Sequence, residues 1–75
     1  MPPDKSGPPR PVARGGDGEI YVEFKQVGQV MRVTAIDAAS GVEVVIMGPV
    51  SASQGDLQKV AVAKLRRRLG QEGGA

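Results

Sequence analysis

Two turn signals divide the middle of the chain into three short apolar segments, and this division limits the possible folds more than any other feature. Gly28 and Gln29 follow the alternating segment EIYVEFKQV, where a two-residue type II′ turn requires positive φ at its first position. The second signal, DAASG, ends at Gly41, which suits the left-handed position that closes a four-residue loop. The sequence therefore predicts two hairpins that share their middle strand.

The period-two alternation of apolar residues predicts how the three strands pair, since a shift by one residue would turn the apolar side chains to the opposite face. The predicted pairs are Val27–Val30, Phe24–Val33, Val22–Ala35, Ala35–Val44 and Val33–Ile46. In this register one face of the sheet carries Ile20, Val22, Phe24, Val33, Ala35, Val44 and Ile46. Pro49 ends the third strand because proline cannot donate to a ladder.

After the third strand the apolar period changes to that of a helix. We expect a helix from Ser53 to about Leu69, with Ser51 and Ser53 as alternative N-caps. Gly70 is the expected stop, and the arginines at 66–68 would then occupy the last turn, where they oppose the negative end of the helix dipole. The residues predicted to face the sheet are Ala61, Val62, Leu65 and Leu69, with Leu57 and Val60 to one side.

The fold class predicted is α+β, a three-stranded antiparallel meander followed by one C-terminal helix (βββα). Residues 1–18 contain five of the six prolines and few apolar residues, so we expect a disordered Pro/Gly-rich tail. Residues 19–70 form the predicted domain, and residues 71–75 are expected to be frayed. A domain of about fifty residues is marginally stable alone.

Cysteine and histidine are both absent. Their absence removes disulfides, thiolate nucleophiles and the common zinc sites, and it leaves no imidazole to activate a hydroxyl. The sequence therefore predicts no catalytic, cofactor-binding or metal-binding residue, no cofactor and no enzyme activity. No apolar run has the length of a membrane span or of a signal-peptide core, so we expect a cytoplasmic protein that does not contact membranes.

The face of the sheet opposite the helix is expected to carry six apolar or aromatic residues among eleven, which is many for a solvated face. Scattered surface valines are the ordinary alternative. We predict instead that a second copy covers this face in a homodimer, either side by side or with the helix exchanged, and a different protein is a further alternative. The predicted contact residues are Tyr21, Val30, Ile36, Val45 and Met47.

The basic residues of the predicted helix suggest a second function, salt-sensitive binding of nucleic acid. The candidate phosphate contacts are Lys59, Lys64, Arg66, Arg67 and Arg68. Consecutive helical residues are about 100° apart, so the three arginines spread around the helix and cannot form one stripe. The nucleic-acid hypothesis is therefore the alternative to the homodimeric interaction module.

One combination of residues extends from position 19 to position 69: Tyr21, Glu23, Phe24, Val27, Gly28, Val33, Ala35, Ile36, Asp37, Gly41, Glu43, Val44, Gly48, Pro49, Leu57, Ala61, Lys64 and Leu65. In this combination the chain resembles a family of short bacterial proteins known only as a domain of unknown function. The resemblance implies a compact sheet-plus-helix protein. It implies no activity, cofactor or catalytic residue.

Overall fold

The computed structural model describes residues 4–15 and 18–73. Its elements are β1 (Gly7–Gly15), β2 (Gly18–Val27), β3 (Val30–Asp37), β4 (Glu43–Pro49) and α1 (Gln54–Gly73). The strands form one antiparallel sheet in the order β1-β2-β3-β4. The helix packs on one face of the sheet, mainly over β3 and β4. The predicted α+β class is confirmed.

Both predicted hairpins are present in the predicted register. The structure contains all five predicted pairs, from Val27–Val30 to Val33–Ile46. Gly28 has a φ of 62° while Gln29 stays outside the positive region, as a type II′ turn requires. Gly41 has a φ of 77° at the end of the second loop. Turn glycines and alternation were therefore sufficient to define the meander.

The predicted number of strands is wrong, because residues 7–15 of the expected tail form β1 against β2. An edge strand bonds to a neighbour on one side only, so prolines fit where their missing N–H would point to solvent. The register shifts of β1 fall between Gly7 and Arg10 and between Pro11 and Ala13, which are the segments that contain the prolines. Residues 1–3 and 16–17 of the expected tail lie outside the described residues.

Residues 4–6, also expected to be disordered, are fixed by hydrogen bonds to distant parts of the chain. The Lys5 N–H donates to Gln26 Oε1 at 2.8 Å, and the Gln26 N–H donates to Ser6 Oγ at 2.8 Å. From the helix, Gln54 Nε2 donates to the Lys5 carbonyl at 2.8 Å. Hydrogen bonds from Ser6 also lower the pKa of Asp4. The segment therefore joins the end of β2 to the start of α1.

The core lies between the sheet and α1, and its buried members are Ile20, Val22, Phe24, Met31, Val33, Ala35, Val44, Leu57, Ala61, Val62 and Leu65. Met31 and Leu57 were not predicted to lie there, whereas Ile46 and Leu69 are only partly buried. Met31 pairs with Gly48, and a Cβ at Gly48 would lie 2.6 Å from Leu57 Cδ2. The absent side chain at Gly48 thus creates the space that Leu57 fills.

The helix begins as predicted but extends further. Ser53 is the N-cap, since its Oγ accepts the Asp56 N–H at 3.3 Å. Gly70 does not end the helix, because it keeps a φ outside the positive region and α1 continues to Gly73. The arginines at 66–68 therefore precede the last turn, which contains no basic residue. Residues 71–73 of the expected frayed end are helical, and residues 74–75 lie outside the described residues.

Candidate interaction surfaces

The free edge of β4 presents unpaired backbone groups, and the register identifies them. Val27 and Val30 close the first hairpin, so the even-numbered residues of β3 bond to β2 and the odd-numbered residues bond to β4. The bond from the Asp37 N–H to the Val42 carbonyl, 2.9 Å, fits this assignment. Glu43, Val45 and Met47 of β4 consequently direct their N–H and C=O groups away from the sheet. We call these three residues the β4 edge.

Apolar side chains flank the β4 edge on both faces of the sheet. Met47 is 61% exposed on the outer face, and Val60 of α1 is 56% exposed. Val60 lies one helical turn before Lys64 on the same side of α1. The Lys64 ammonium donates to the Val45 carbonyl at 3.1 Å. This bond caps one of the outward-facing carbonyls of the β4 edge.

The other edge of the sheet, β1, is protected by its sequence. Pro8, Pro9 and Pro11 have no N–H to offer a further strand. Arg66 donates from Nη2 to the Arg14 carbonyl at 3.1 Å. The helix therefore places one cation on a carbonyl of each edge strand, and two of the predicted phosphate contacts, Lys64 and Arg66, bind backbone in this structure.

The predicted contact residues lie in four successive cross-strand rows of the outer face. Tyr21 lies opposite Ile36, and Val45, half-buried like both of them, borders the same shallow depression as Ile36. Val30 is 37% exposed at the hairpin end of the sheet. Met47 lies in the row of Lys25 and Arg32, between the row of Val45 and the row of Val30.

The Tyr21 hydroxyl lies beside a carboxylate on its own strand. A hydrogen bond to Glu19, together with the negative charge of that carboxylate, raises the pKa of Tyr21. Tyr21 also pairs with Pro11 of β1. The ring is therefore held at the β1 side of the outer face, far from the β4 edge in the strand order.

The predicted phosphate contacts are divided between two sides of α1. Lys59 and Arg66 border a groove of about 230 Å³ between β1 and α1. We call it the β1–α1 groove, and its lining is Val12, Ala13, Gln58, Lys59, Val62, Ala63 and Arg66. Lys64 and Arg67 border a different depression together with Val60, and Arg68 is exposed. The groove could not be inferred from the sequence because its β1 wall was expected to be disordered.

Asp37 is a buried carboxylate that the sequence suggested only as a turn residue. It is 3% exposed. Its Oδ2 accepts the Ser40 N–H at 3.0 Å and the Ser40 hydroxyl at 2.6 Å, while its Oδ1 has no partner among the residues described. The carboxylate thus fixes the β3–β4 loop, because an Asp side chain that accepts hydrogen bonds from residues shortly after it stabilises a turn.

These features define a class: a small α+β domain with one helix across a four-stranded antiparallel sheet. Residues 17–72 match the sequence model of a family described as a domain of unknown function (DUF6898), and the chain belongs to that family. The match begins after β1 and contains β2, β3 and β4 completely. No curated protein and no solved structure matches the chain.

Residues 4–15 and 18–73 contain neither a helix suited to span a membrane nor a cluster of metal ligands. No helix in this part of the chain is both long and apolar enough to cross a membrane. Within the same residues, no three acidic, histidine or cysteine side chains are grouped so that they could hold a metal ion.

Proposed function

We propose that the protein is a non-enzymatic interaction module that pairs with a second copy of itself along the β4 edge. One observation carries the proposal: an open strand combines outward-facing backbone groups with exposed apolar side chains. Glu43, Val45 and Met47 direct donors and acceptors away from the sheet. Met47 and Val60 leave apolar surface exposed beside them. An edge with these properties is a template for another strand.

A second copy fits this edge because an antiparallel pair of identical strands is self-complementary. If Val45 lies opposite the Val45 of the other copy, Glu43 lies opposite Met47. Each outward N–H of these residues then faces an outward carbonyl, and the four-stranded sheets join into one continuous sheet. The Lys64 bond to the Val45 carbonyl is replaced by a bond between strands.

Self-association also supports the stability of so small a domain. Burial of Met47 and Val60 removes apolar surface from water, and association stabilises the folded state by mass action. Pairing through the β4 edge needs no exchange of the helix, so Leu57 keeps its contact with Gly48 of its own sheet.

The non-enzymatic part of the proposal is supported by the residues available. The chain has no histidine and no cysteine, the side chains that most often supply a base near neutral pH and a strong nucleophile. The remaining candidates are carboxylates, lysines, hydroxyls and Tyr21. The raised pKa of Tyr21 makes its phenolate less available as a base.

The test is the solution mass of the full chain, measured by light scattering over a range of concentrations. We expect a dimer that dissociates on dilution. Met47→Asp places a charge beside the joined strands and should yield monomer. Thr34→Asp adds the same charge in the middle of the outer face, and we expect it to leave the dimer intact.

Two results would contradict the proposal. A folded wild-type monomer at every concentration would leave the β4 edge without a second copy. A dimer that Thr34→Asp dissociates and Met47→Asp does not would move the contact to the outer face. Circular dichroism of each variant establishes that a change in mass reflects assembly and not unfolding.

A further inference from the structure

We infer that the β1–α1 groove is a docking site for an acidic peptide segment that carries an apolar side chain between its carboxylates. The groove lies on the β1 side of the helix, away from the β4 edge. This binding site does not depend on self-association, and a dimer joined through β4 leaves it accessible.

The shape of the groove suits a side chain better than a cofactor. Its floor is formed by Val12 and Ala13 from β1 and by Val62 and Ala63 from α1. The volume, about 230 Å³, is below the range of about 300–1,000 Å³ that is typical of small-molecule sites. One or two apolar side chains of a partner would cover this floor.

Charge defines the chemistry of the partner. Lys59 and Arg66 stand at the border of the groove, and its lining contains no carboxylate. The two cations are seven residues apart on one helix, about 10 Å along its axis. A peptide in the polyproline II conformation advances about 3.1 Å per residue and completes a turn every three residues, so carboxylates three residues apart lie on one side of it and match this spacing.

Lys59 and Arg66 both have N–H donors available to bind a ligand. Lys59 makes no hydrogen bond or ion pair with any residue that the structure describes. Arg66 donates from one nitrogen to the Arg14 carbonyl, and a guanidinium has five N–H donors in all. Arg10, at the border of the adjoining depression beside Gln54, extends the positive charge along β1.

Two observations favour a peptide over a nucleic acid. No aromatic ring can stack on a base at this groove, because Tyr21 belongs to the outer face and Phe24 is 3% exposed. The apolar floor, moreover, offers nothing to a phosphate backbone. The prolines of β1 prevent the peptide from adding as a further strand, so side chains must make the contact.

The proposal is tested by fluorescence anisotropy with a labelled peptide of sequence Gly-Glu-Leu-Leu-Glu-Gly and the full-length protein. We expect saturable binding that weakens as salt is added. Lys59→Glu should weaken it by about tenfold, since it converts an attraction at the groove into a repulsion. Arg67→Glu changes the net charge equally on the other side of α1 and should change the affinity by less than about twofold.

Two changes to the peptide test separately whether its carboxylates and its leucines are needed for binding. Replacement of the two glutamates by glutamine, or of the two leucines by serine, should abolish measurable binding. Equal losses for Lys59→Glu and Arg67→Glu would show a diffuse charge effect and overturn the site. Absence of binding at millimolar protein, or tighter binding of a labelled dodecamer of thymidylate than of the peptide, would overturn the peptide assignment.

Discussion

The two edge strands of the sheet, β1 and β4, differ in how they are protected against pairing with a further strand. An unpaired edge strand attracts other strands. At β1 the sequence PPRP removes backbone donors permanently. At β4 the segment EVVIMG, which precedes the terminal Pro49, retains all its donors, and the Lys64 side chain covers the Val45 carbonyl.

One edge is closed by covalent structure and the other by a contact that can be exchanged. A proline cannot regain its N–H, whereas an ammonium group can release a carbonyl to a better partner. The β1 edge is therefore restricted to contacts through side chains. The β4 edge is available for pairing.

The largest effect is expected from removal of the closed edge. A chain that begins at residue 16 lacks β1, so β2 becomes a second open edge and Val12 and Ala13 no longer cover the core. We expect it to fold with a stability lower by about 2–3 kcal/mol and to form assemblies larger than a dimer. Thermal unfolding and light scattering measure both effects. An unchanged melting temperature would show that β1 contributes nothing to the domain.

The next largest effect is expected when a proline is placed on each edge strand in turn. Val45→Pro removes an outward N–H from the β4 edge and should convert dimer into monomer with little loss of fold, because edge strands accept proline. Arg14→Pro makes the matching change on β1, and its dimer should persist. Analytical ultracentrifugation of both variants at one concentration shows whether each of them is a dimer or a monomer. Loss of the dimer in both, or in neither, would remove the distinction between the edges.

A smaller effect is expected at Lys64, whose ammonium caps the Val45 carbonyl. Lys64→Met removes the bond to the Val45 carbonyl and adds apolar surface beside Val60. We expect the dimer to tighten by about fivefold, as a net hydrogen bond of about 1 kcal/mol is no longer lost on pairing. The dissociation constant from dilution calorimetry measures this change. Weaker association would indicate that Lys64 contributes to the contact instead of competing with it.

The smallest effect is expected from the equivalent change on the closed edge. Arg66→Met removes the bond to the Arg14 carbonyl, but the prolines still prevent strand addition. We expect no change in mass and a loss of unfolding free energy below about 1 kcal/mol. Chemical denaturation gives the second quantity. Additional assembly by this variant would mean that Arg66, and not proline, closes the β1 edge.

Local signals predicted the meander correctly. Gly28 and Gly41 fixed the turns, and alternation fixed the register between them. The start of α1 was limited to two serines, of which Ser53 is the cap. These features depend on neighbours in sequence, which is why the residues alone sufficed.

The features that were missed depend on contacts between distant segments. Composition cannot show that a proline-rich segment pairs with β2, because prolines on the solvent side of an edge strand cost no ladder bond. Helical periodicity cannot place Leu57 in the core, since its space is created by Gly48 on another element. The β1–α1 groove has β1 as one wall, and β1 was not predicted. The basic residues of the groove were therefore interpreted only as part of an exposed helix surface.

The positions of the two capping cations have a consequence for biosynthesis. Lys64 and Arg66 follow the whole sheet in the chain, so the strands leave the ribosome before the residues that cover their edges. During that interval the nascent β4 is uncovered, and neighbouring chains on one polysome present the same strand at high local concentration. The proline-rich β1, which is translated first, is protected from the beginning. The order of synthesis thus makes β4 the segment most exposed to premature pairing between nascent chains.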